Sequence, residues 1–483
     1  MAMDKLRSGQ LINLAADFQI QRITRGEPDV EDDPFFVADM GQVSRQHRRW
    51  EFNLPDVQPF YAELGTGFDC ASVQEMRAVL ELGVHPSRII LANPCKAVQV
   101  LLYAKKWGVQ TTVFDNLDEL ETINRYMPEA RLLLRIYAND DSALIKFGDK
   151  FGAPADMSWS LLQRAKELGL EVAGVSFHVG EYCRKRRSFR KAIKDASAVF
   201  EQAQTLGFNM RLLDIGGGFQ DKNFEDIAAS IREEIAQRIP STTKIIAEPG
   251  RYYARSAYTL ICRVISRRRQ IIEKAKDLPD MLYQNDGLYG HFMNRLMEAE
   301  NFCPILVLDG ASSGKREAGP HRYTIWGPTC DGGDYVVRDT TLPCEAKVGD
   351  WLKYKNMGAY TSTTATQFNG FSSDCQTLYI NSDPLVLKLN SFGHDKSLAI
   401  KPYAALSGKS RRILLYAGDG VSDLSGASEA DILFAKSGMV RTAVQALVRY
   451  CEQCGIPFVP FNDWASTLAT LQEFYQNGCS NDV

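Results

Sequence analysis

Eight short β-type segments, most of them separated by amphipathic helical stretches, fill the first half of the 483-residue chain. They are Pro59–Ala62, Gly67–Cys70, Ile89–Asn93, Thr112–Asp115, Leu132–Arg135, Gly174–His178, Leu212–Gly216 and Lys244–Glu248. Strands that alternate with helices predict a parallel sheet, because a parallel neighbour is reached through a crossover of a dozen or more residues. Eight is the number that closes such a sheet into a (β/α)8 barrel. Most of these segments end on or beside a residue able to do chemistry, as the C-terminal face of a barrel demands. An open doubly wound sheet is the competing arrangement.

One step departs from the rule. Only Glu63 to Thr66 separate Ala62 from Gly67, whereas the other steps run to roughly sixteen residues or more, as a crossover needs. The first β/α unit is therefore expected to lack its helix and the end of its strand. After Arg251 the pattern changes to β-type segments separated by turns (Tyr258–Ser266, Pro304–Leu308, Tyr323–Trp326, Val348–Tyr354), which predicts an antiparallel β domain. From about Ser391 the character shifts again, to half of an α/β domain. The expected division is 1–37 as a segment contributing to the β domain, 38–256 as the barrel, 257–386 as the β domain and 387–483 as the partial tail.

Composition excludes several function classes. With 45% hydrophobic and 24% charged residues the chain can bury large cores. A net charge of -3 leaves no footprint for nucleic acid or an anionic membrane, and the basic run Arg184 to Arg187 reads as a solvated face. No apolar run approaches the ~20 residues of a membrane span, and Met1 to Ile20 has no secretory core. A cytoplasmic location is expected, with the eleven cysteines as thiols rather than a disulfide framework. Cys451-x-x-Cys454 has no second pair to make a metal site.

The chemistry is expected at the strand ends. Gly216-Gly217-Gly218 can present backbone amides to a phosphate without side-chain interference, although a tight turn is the plainer reading of three glycines. Glu248-Pro249-Gly250-Arg251 adds a carboxylate, a close-approach glycine and a cation where barrels commonly hold phosphate. Taken alone, Glu248 and Arg251 would be read as a structural ion pair.

The ordered set of strings is more specific than any member. It comprises Gly65-Thr-Gly-Phe-Asp-Cys-Ala-Ser72, Ala92-Asn-Pro-Cys-Lys96, Gly174-Val-Ser-Phe-His-Val-Gly180, Leu213-Asp-Ile-Gly-Gly-Gly-Phe219 and Ala247-Glu-Pro-Gly-Arg-Tyr-Tyr253. Asn285-Asp-Gly-Leu-Tyr-Gly290, Trp326-Gly-Pro-Thr-Cys-Asp-Gly332 and Asn356-Met-Gly-Ala-Tyr-Thr361 follow. Together they resemble the eukaryotic-type ornithine decarboxylases, pyridoxal-phosphate (PLP) enzymes with a barrel and a β-barrel domain.

The resemblance implies a set of roles. Glu248 would pair with the pyridine nitrogen and His178 would stack on the ring. Asp69 and Arg135 would position the cofactor. Gly216, Gly217, Gly218, Pro249, Gly250, Arg251 and Tyr360 would line its phosphate end, with Glu181 where the family usually has serine. Cys330 matches the cysteine that returns a proton after CO2 leaves, and Asp331 the carboxylate facing the distal ammonium of L-ornithine. Glu298 falls where the family places a second substrate carboxylate, with Met297 where an aromatic is usual. The resemblance also implies a homodimer with shared sites, in which Cys330 and Asp331 serve the partner's site, and an antizyme-type regulator as a further partner.

Two departures bear on activity. The family's first strand continues through valine and the cofactor-carrying lysine, whereas here Ala62 runs straight into Glu63-Leu64-Gly65. Glu181 adds negative charge beside the phosphate position. In the tail, Gly393-His-Asp-Lys396 and Gly418-Asp-Gly-Val-Ser-Asp423 resemble the C-terminal half of a haloacid-dehalogenase-type phosphatase. That family's nucleophilic strand has no counterpart upstream, so Asp419 and Asp423 would form at most a vestigial Mg2+ site. The expected function is ornithine decarboxylation to putrescine, impaired by the lost lysine. A regulatory binding protein is the alternative, and a phosphatase a weaker third.

Overall fold

In the computed structural model the chain divides into two units, Met1–Ser382 and Asp383–Val483. The structure describes residues 8–27, 32–60, 66–138, 147–180, 186–270, 278–308 and 316–383, and the backbone of three short strands within 415–461. The first unit opens with α1 (Ser8–Thr24), β1 (Phe35–Asp39) and α2 (Met40–Asn53). Asp39 caps α2 by accepting a 3.0 Å hydrogen bond from the Gly41 amide.

Eight parallel strands follow: β2 (Val57–Pro59), β3 (Phe68–Cys70), β4 (Ile89–Leu91), β5 (Thr111–Phe114), β6 (Arg131–Arg135), β7 (Glu171–Ser176), β8 (Leu212–Asp214) and β9 (Lys244–Ala247). Their order is β2-β9-β8-β7-β6-β5-β4-β3, every pair parallel. The crossovers carry α3 (Val73–Glu81), α4 (Val98–Trp107), α5 (Leu117–Tyr126), α6 (Ser158–Glu167), α7 (Arg186–Thr205) and α8 (Phe224–Arg238). Ser72 and Asn116 cap α3 and α5 by accepting from Glu75 and Glu119 amides, which fixes where each helix starts. Alternate strand residues pack inward as Ile90, Val113, Leu133, Ala173, Leu212 and Ile246, a side-chain-filled barrel centre. The other faces meet the helices. There Trp50 of α2 stacks among Phe219, Phe224, Tyr252 and Tyr253 and donates to the Val57 carbonyl at 2.8 Å.

The barrel has its eight strands although only residues 61–66 separate Phe60 from Gly67. Among the described residues the closing seam between β2 and β3 is a single parallel bridge, Phe60 to Gly67, with the Gly67 amide 3.3 Å from the Pro59 carbonyl. The crossover argument assumes strands lying side by side. Here β3 begins beside the point where β2 ends, so the chain has no strand length to retrace and a short link suffices. The Phe60 ring lies over the seam: a Cβ on Gly67 would sit 2.4 Å from it. That close approach is why glycine occupies position 67.

α9 (Gly250–Ala254) leads into the second layer of the unit. Its strands are β10 (Tyr258–Arg268), β11 (Asp280–Gln284), β12 (Ile305–Val307), β13 (Ala318–Trp326), β14 (Tyr335–Cys344), β15 (Trp351–Lys355) and β16 (Gln376–Ile380), with the one-turn α10 (Asn294–Met297) after β11. They run in the order β12-β15-β10-β11-β13-β14, and β1 joins β10 to β16. The all-antiparallel expectation is corrected at two places, because β1 pairs with β16 and β11 with β13 in parallel. Both pairs join strands distant in sequence, so no hairpin dictates their direction.

In the second unit, β17 (Leu415–Gly418), β18 (Ile432–Lys436) and β19 (Val459–Phe461) form a parallel sheet in chain order. Lys396, Asp419, Asp423, Cys451 and Cys454 lie outside the described residues, as does Glu181.

Candidate active site

A cavity of about 560 Å3 opens at the C-terminal ends of the barrel strands. Its walls carry Asp69 (β3), Arg135 (β6), His178 (just past β7), Gly217 and Gly218 (past β8), and Glu248, Pro249, Gly250 and Arg251 (β9 into α9). Tyr360 closes it from the β domain, with Phe60, Phe68 and Phe151 as apolar lining. Nine strand-end residues and one tyrosine named from the sequence thus share one cavity. Gly216 stands one residue behind it at φ 60°, and a Cβ there would strike the Phe177 carbonyl at 2.3 Å.

The glycines decide the geometry of the floor. A Cβ at Gly217 would fall 2.7 Å from His178 Nε2 and 2.9 Å from the Glu248 carbonyl, so only glycine lets the imidazole lie where it does. His178 Nδ1 accepts from the Gly180 amide at 3.1 Å, leaving Nε2 on the cavity side. Burial, then the Arg135 guanidinium, lowers the imidazole pKa to about 3. His178 is therefore a neutral face at physiological pH.

The carboxylates are shifted the opposite way. Burial first, then neighbouring Asp214 with its hydrogen bond, raises Glu248 well above the usual carboxylate range. Asp214 itself is raised to about 7, again chiefly by burial. Its Oδ1 accepts from the Gly216 amide at 2.9 Å and pins the glycine turn, while Oδ2 is buried. Asp69 reaches solvent through the cavity, yet the protein mass around it, with Glu248 and Glu75 nearby, also raises its pKa well above normal. Water in the cavity tempers that shift without changing its sign. The sequence had flagged Glu248 but passed over Asp214, although the position directly before Ile215-Gly216 was the available signal.

Other expected residues stand elsewhere. Cys330 is exposed, its amide held by Asn369 Oδ1 at 3.1 Å. Asp331 accepts from the Tyr289 hydroxyl at 2.6 Å, and that bond lowers its pKa. Neither lines the cavity of its own chain. Glu298 is buried against Arg251 rather than open to the cavity, and Glu248 turns to Asp214. Lys96 is withdrawn altogether: its ammonium lies 2.8 Å from Glu119 and donates to the Val113 carbonyl at 2.7 Å and the Asn93 carbonyl at 2.9 Å.

Comparison with known proteins gives this constellation a context. The model of the pyridoxal binding domain of pyridoxal-dependent decarboxylases matches residues 40–255. Ornithine decarboxylase of Neurospora crassa is 41% identical over 433 residues, spanning 80% of this chain and 89% of that protein. The chain belongs to the pyridoxal-dependent decarboxylase family. Antizyme inhibitor 2 of Xenopus laevis is 42% identical over 391 residues, 74% of this chain and 83% of that one. Among solved structures, the arginine decarboxylase of Paramecium bursaria Chlorella virus bound to agmatine superposes with a TM-score of 0.69 at 32% identity, covering 75% of this chain and all of that one. The family's cofactor is a pyridoxal group. The residues present fit its ring and phosphate: a buried carboxylic acid, a neutral imidazole held close by Gly217, and glycine turns open to an anion. No lysine occurs between Lys5 and Lys96, the stretch that contains the first barrel strand and the link after it.

Proposed function

We propose that the cavity takes PLP without a covalent lysine bond and a basic amino acid, L-ornithine, as its substrate. Decarboxylation to putrescine is the reaction this reading implies, and without the lysine this chain performs it slowly at best. The observation that carries the reading is Glu248, backed by the buried Asp214, facing one cavity with His178, in a chain with no lysine at the first strand end.

When bound, PLP supplies an electron sink for the pair released as the Cα–carboxylate bond breaks. Glu248 would pair with the pyridine nitrogen and keep it protonated, with Asp214 hydrogen-bonded to Glu248 from behind. His178 covers the ring face while staying uncharged. Arg135 and Asp69 would orient the ring from β6 and β3, and Gly217 and Gly218 would offer amides to the phosphate, with Gly250 leaving open space beside them. Asp331, ionised and half-buried on its own chain, recognises the distal ammonium in a partner subunit's cavity. Cys330 Sγ delivers the proton to Cα there. The unit of function is accordingly a two-fold dimer.

A second reading has its own support. The absent lysine, together with 42% identity to a protein named antizyme inhibitor 2, favours a regulatory chain that retains the decarboxylase surface without turnover. One experiment bears on both readings. Purified chain mixed with PLP should show cofactor that gel filtration removes and borohydride cannot fix to a peptide, with little CO2 released from ornithine. Borohydride-fixed cofactor, or CO2 release at the rate of a lysine-bearing decarboxylase, would refute the proposal. Complete absence of turnover with retained PLP binding selects the regulatory reading. For the tail, we infer a phosphatase-like fragment without hydrolytic activity, supported by Gly418-Asp419-Gly420 after a β-strand and by the missing nucleophile string.

A further inference from the structure

The guanidinium expected at the phosphate is already engaged. Arg251 Nη2 lies 2.5 Å from Glu298 Oε1 and Nη1 3.1 Å from Oε2, with the two side chains only 10% and 4% exposed. Tyr360 covers the guanidinium plane with its ring centroid 4.7 Å away. A guanidinium grips carboxylate and phosphate alike, through paired donors on one edge of a rigid fork. A carboxylate that takes two of those donors competes with a phosphate for the same guanidinium.

The clamp is built into the backbone on both sides. Glu298 ends α10, its amide donating to the Asn294 carbonyl at 2.9 Å, and Ala299 follows at φ 49°, a left-handed conformation unusual for alanine. Asn294 Nδ2 in turn donates to the Ala359 carbonyl at 3.0 Å, beside Tyr360, which is itself at φ 53°. One asparagine therefore ties the one-turn helix that carries the carboxylate to the loop that carries the covering ring. Glutamate at 298 has the reach to enter this arrangement, and a side chain one methylene shorter would meet Arg251 less fully.

We propose that Glu298 is an intramolecular competitor for the anion subsite of Arg251, so that this chain favours phosphorylated over unphosphorylated pyridoxal only weakly. The inference rests on the reading of the cavity as a PLP site. Phosphate binding must then release the carboxylate first, and apparent affinity is scaled down by the fraction of molecules in which Arg251 is free. If that fraction is about a tenth or less, removing the competing charge gains about tenfold or more.

The test is binding rather than turnover. Dissociation constants for PLP and for pyridoxal are measured on the full chain by calorimetry, for wild type, Glu298→Gln and Glu298→Asp. Expected is a gain of about tenfold or more for PLP in Glu298→Gln, a smaller gain in Glu298→Asp, and less than about a twofold change for pyridoxal. If Glu298→Gln does not fold, the aspartate variant carries the same expectation of a PLP-selective gain. Equal gains for both vitamers, or no gain for PLP in either variant while the vitamers still bind, overturn the competitor role and leave the cavity assignment standing. Failure of wild type and both variants to bind either vitamer overturns the assignment and the inference together.

Discussion

Gly67→Ala is the sharpest probe of a barrel closed by one bridge. The new Cβ would lie 2.4 to 2.5 Å from three atoms of the Phe60 ring, against the 3.5–4.0 Å at which carbon atoms rest. Gly67 does not need a left-handed conformation, so the cost comes from the ring and not from the backbone. Something must yield by about 1 Å, and overpacking of that kind costs about 1–3 kcal/mol. Phe60 is half-buried and packs on the inner core of Ile90, Val113 and Ile246, so Phe60→Ala should cost about 2–3 kcal/mol on its own. The double variant is the informative one. Alanine at 67 fits the space the ring leaves, and the pair should be less destabilised than the sum by about 1 kcal/mol or more. Urea unfolding followed by fluorescence reports it, with Trp50 buried in the barrel's outer core as the main local reporter. Additivity of the two substitutions within about 0.5 kcal/mol would show that the ring does not rest on the seam, and the account of closure would fail.

Three further outcomes are expected. Asp214 has a native pKa of about 7 against about 3.9 in an unfolded chain; the native state thus holds the extra proton, and stability should fall as pH rises from about 4 to about 7. Asp214→Asn should flatten that fall, and an identical loss of melting temperature between pH 5 and pH 8 in both proteins would contradict the assignment. Lys96→Met leaves Glu119 buried without its cation and should cost about 3–5 kcal/mol, most of it recovered by adding Glu119→Leu; a cost below about 1 kcal/mol in urea unfolding would mean the pair is not closed off from water. Co-expressed with a lysine-bearing decarboxylase subunit whose matching cysteine is alanine, this chain should restore CO2 release through Cys330, and Cys330→Ala should abolish it; a co-purified mixed dimer without activity refutes the shared site.

The parts legible in the sequence are those that local pattern controls. Strand segments announce themselves by β-branched and aliphatic runs, and their C-terminal ends place Asp69, Arg135, His178 and Glu248 on one face of a parallel sheet without any knowledge of contacts. The four-residue link was legible as an anomaly, but its resolution was not. That depends on β2 and β3 meeting end to start, an offset that no periodicity encodes. Long-range choices were equally hidden. The partner of Arg251 comes from a one-turn helix 47 residues away, and the hydrogen bond between Asp214 and Glu248 exists only because two adjacent strands bury both carboxyls. The parallel directions of β1 on β16 and β11 on β13 also depend on the finished sheet rather than on any turn.

The first strand carries a consequence for how the protein is made. Phe35 to Asp39 are fully buried between β10 and β16, and Pro34 accepts a hydrogen bond from the Cys375 thiol 341 residues downstream. At ~5–20 residues per second a ribosome needs roughly 20–70 s to supply that second neighbour. Throughout that time Phe35-Phe36-Val37 is an apolar strand with a bare edge, able to pair with another nascent chain. The barrel, whose last strand ends at Ala247, can be complete well before. Synthesis in that order leaves an apolar amino-terminal strand without its second neighbour until late, and a chaperone that recognises short extended apolar peptides would find a client site there.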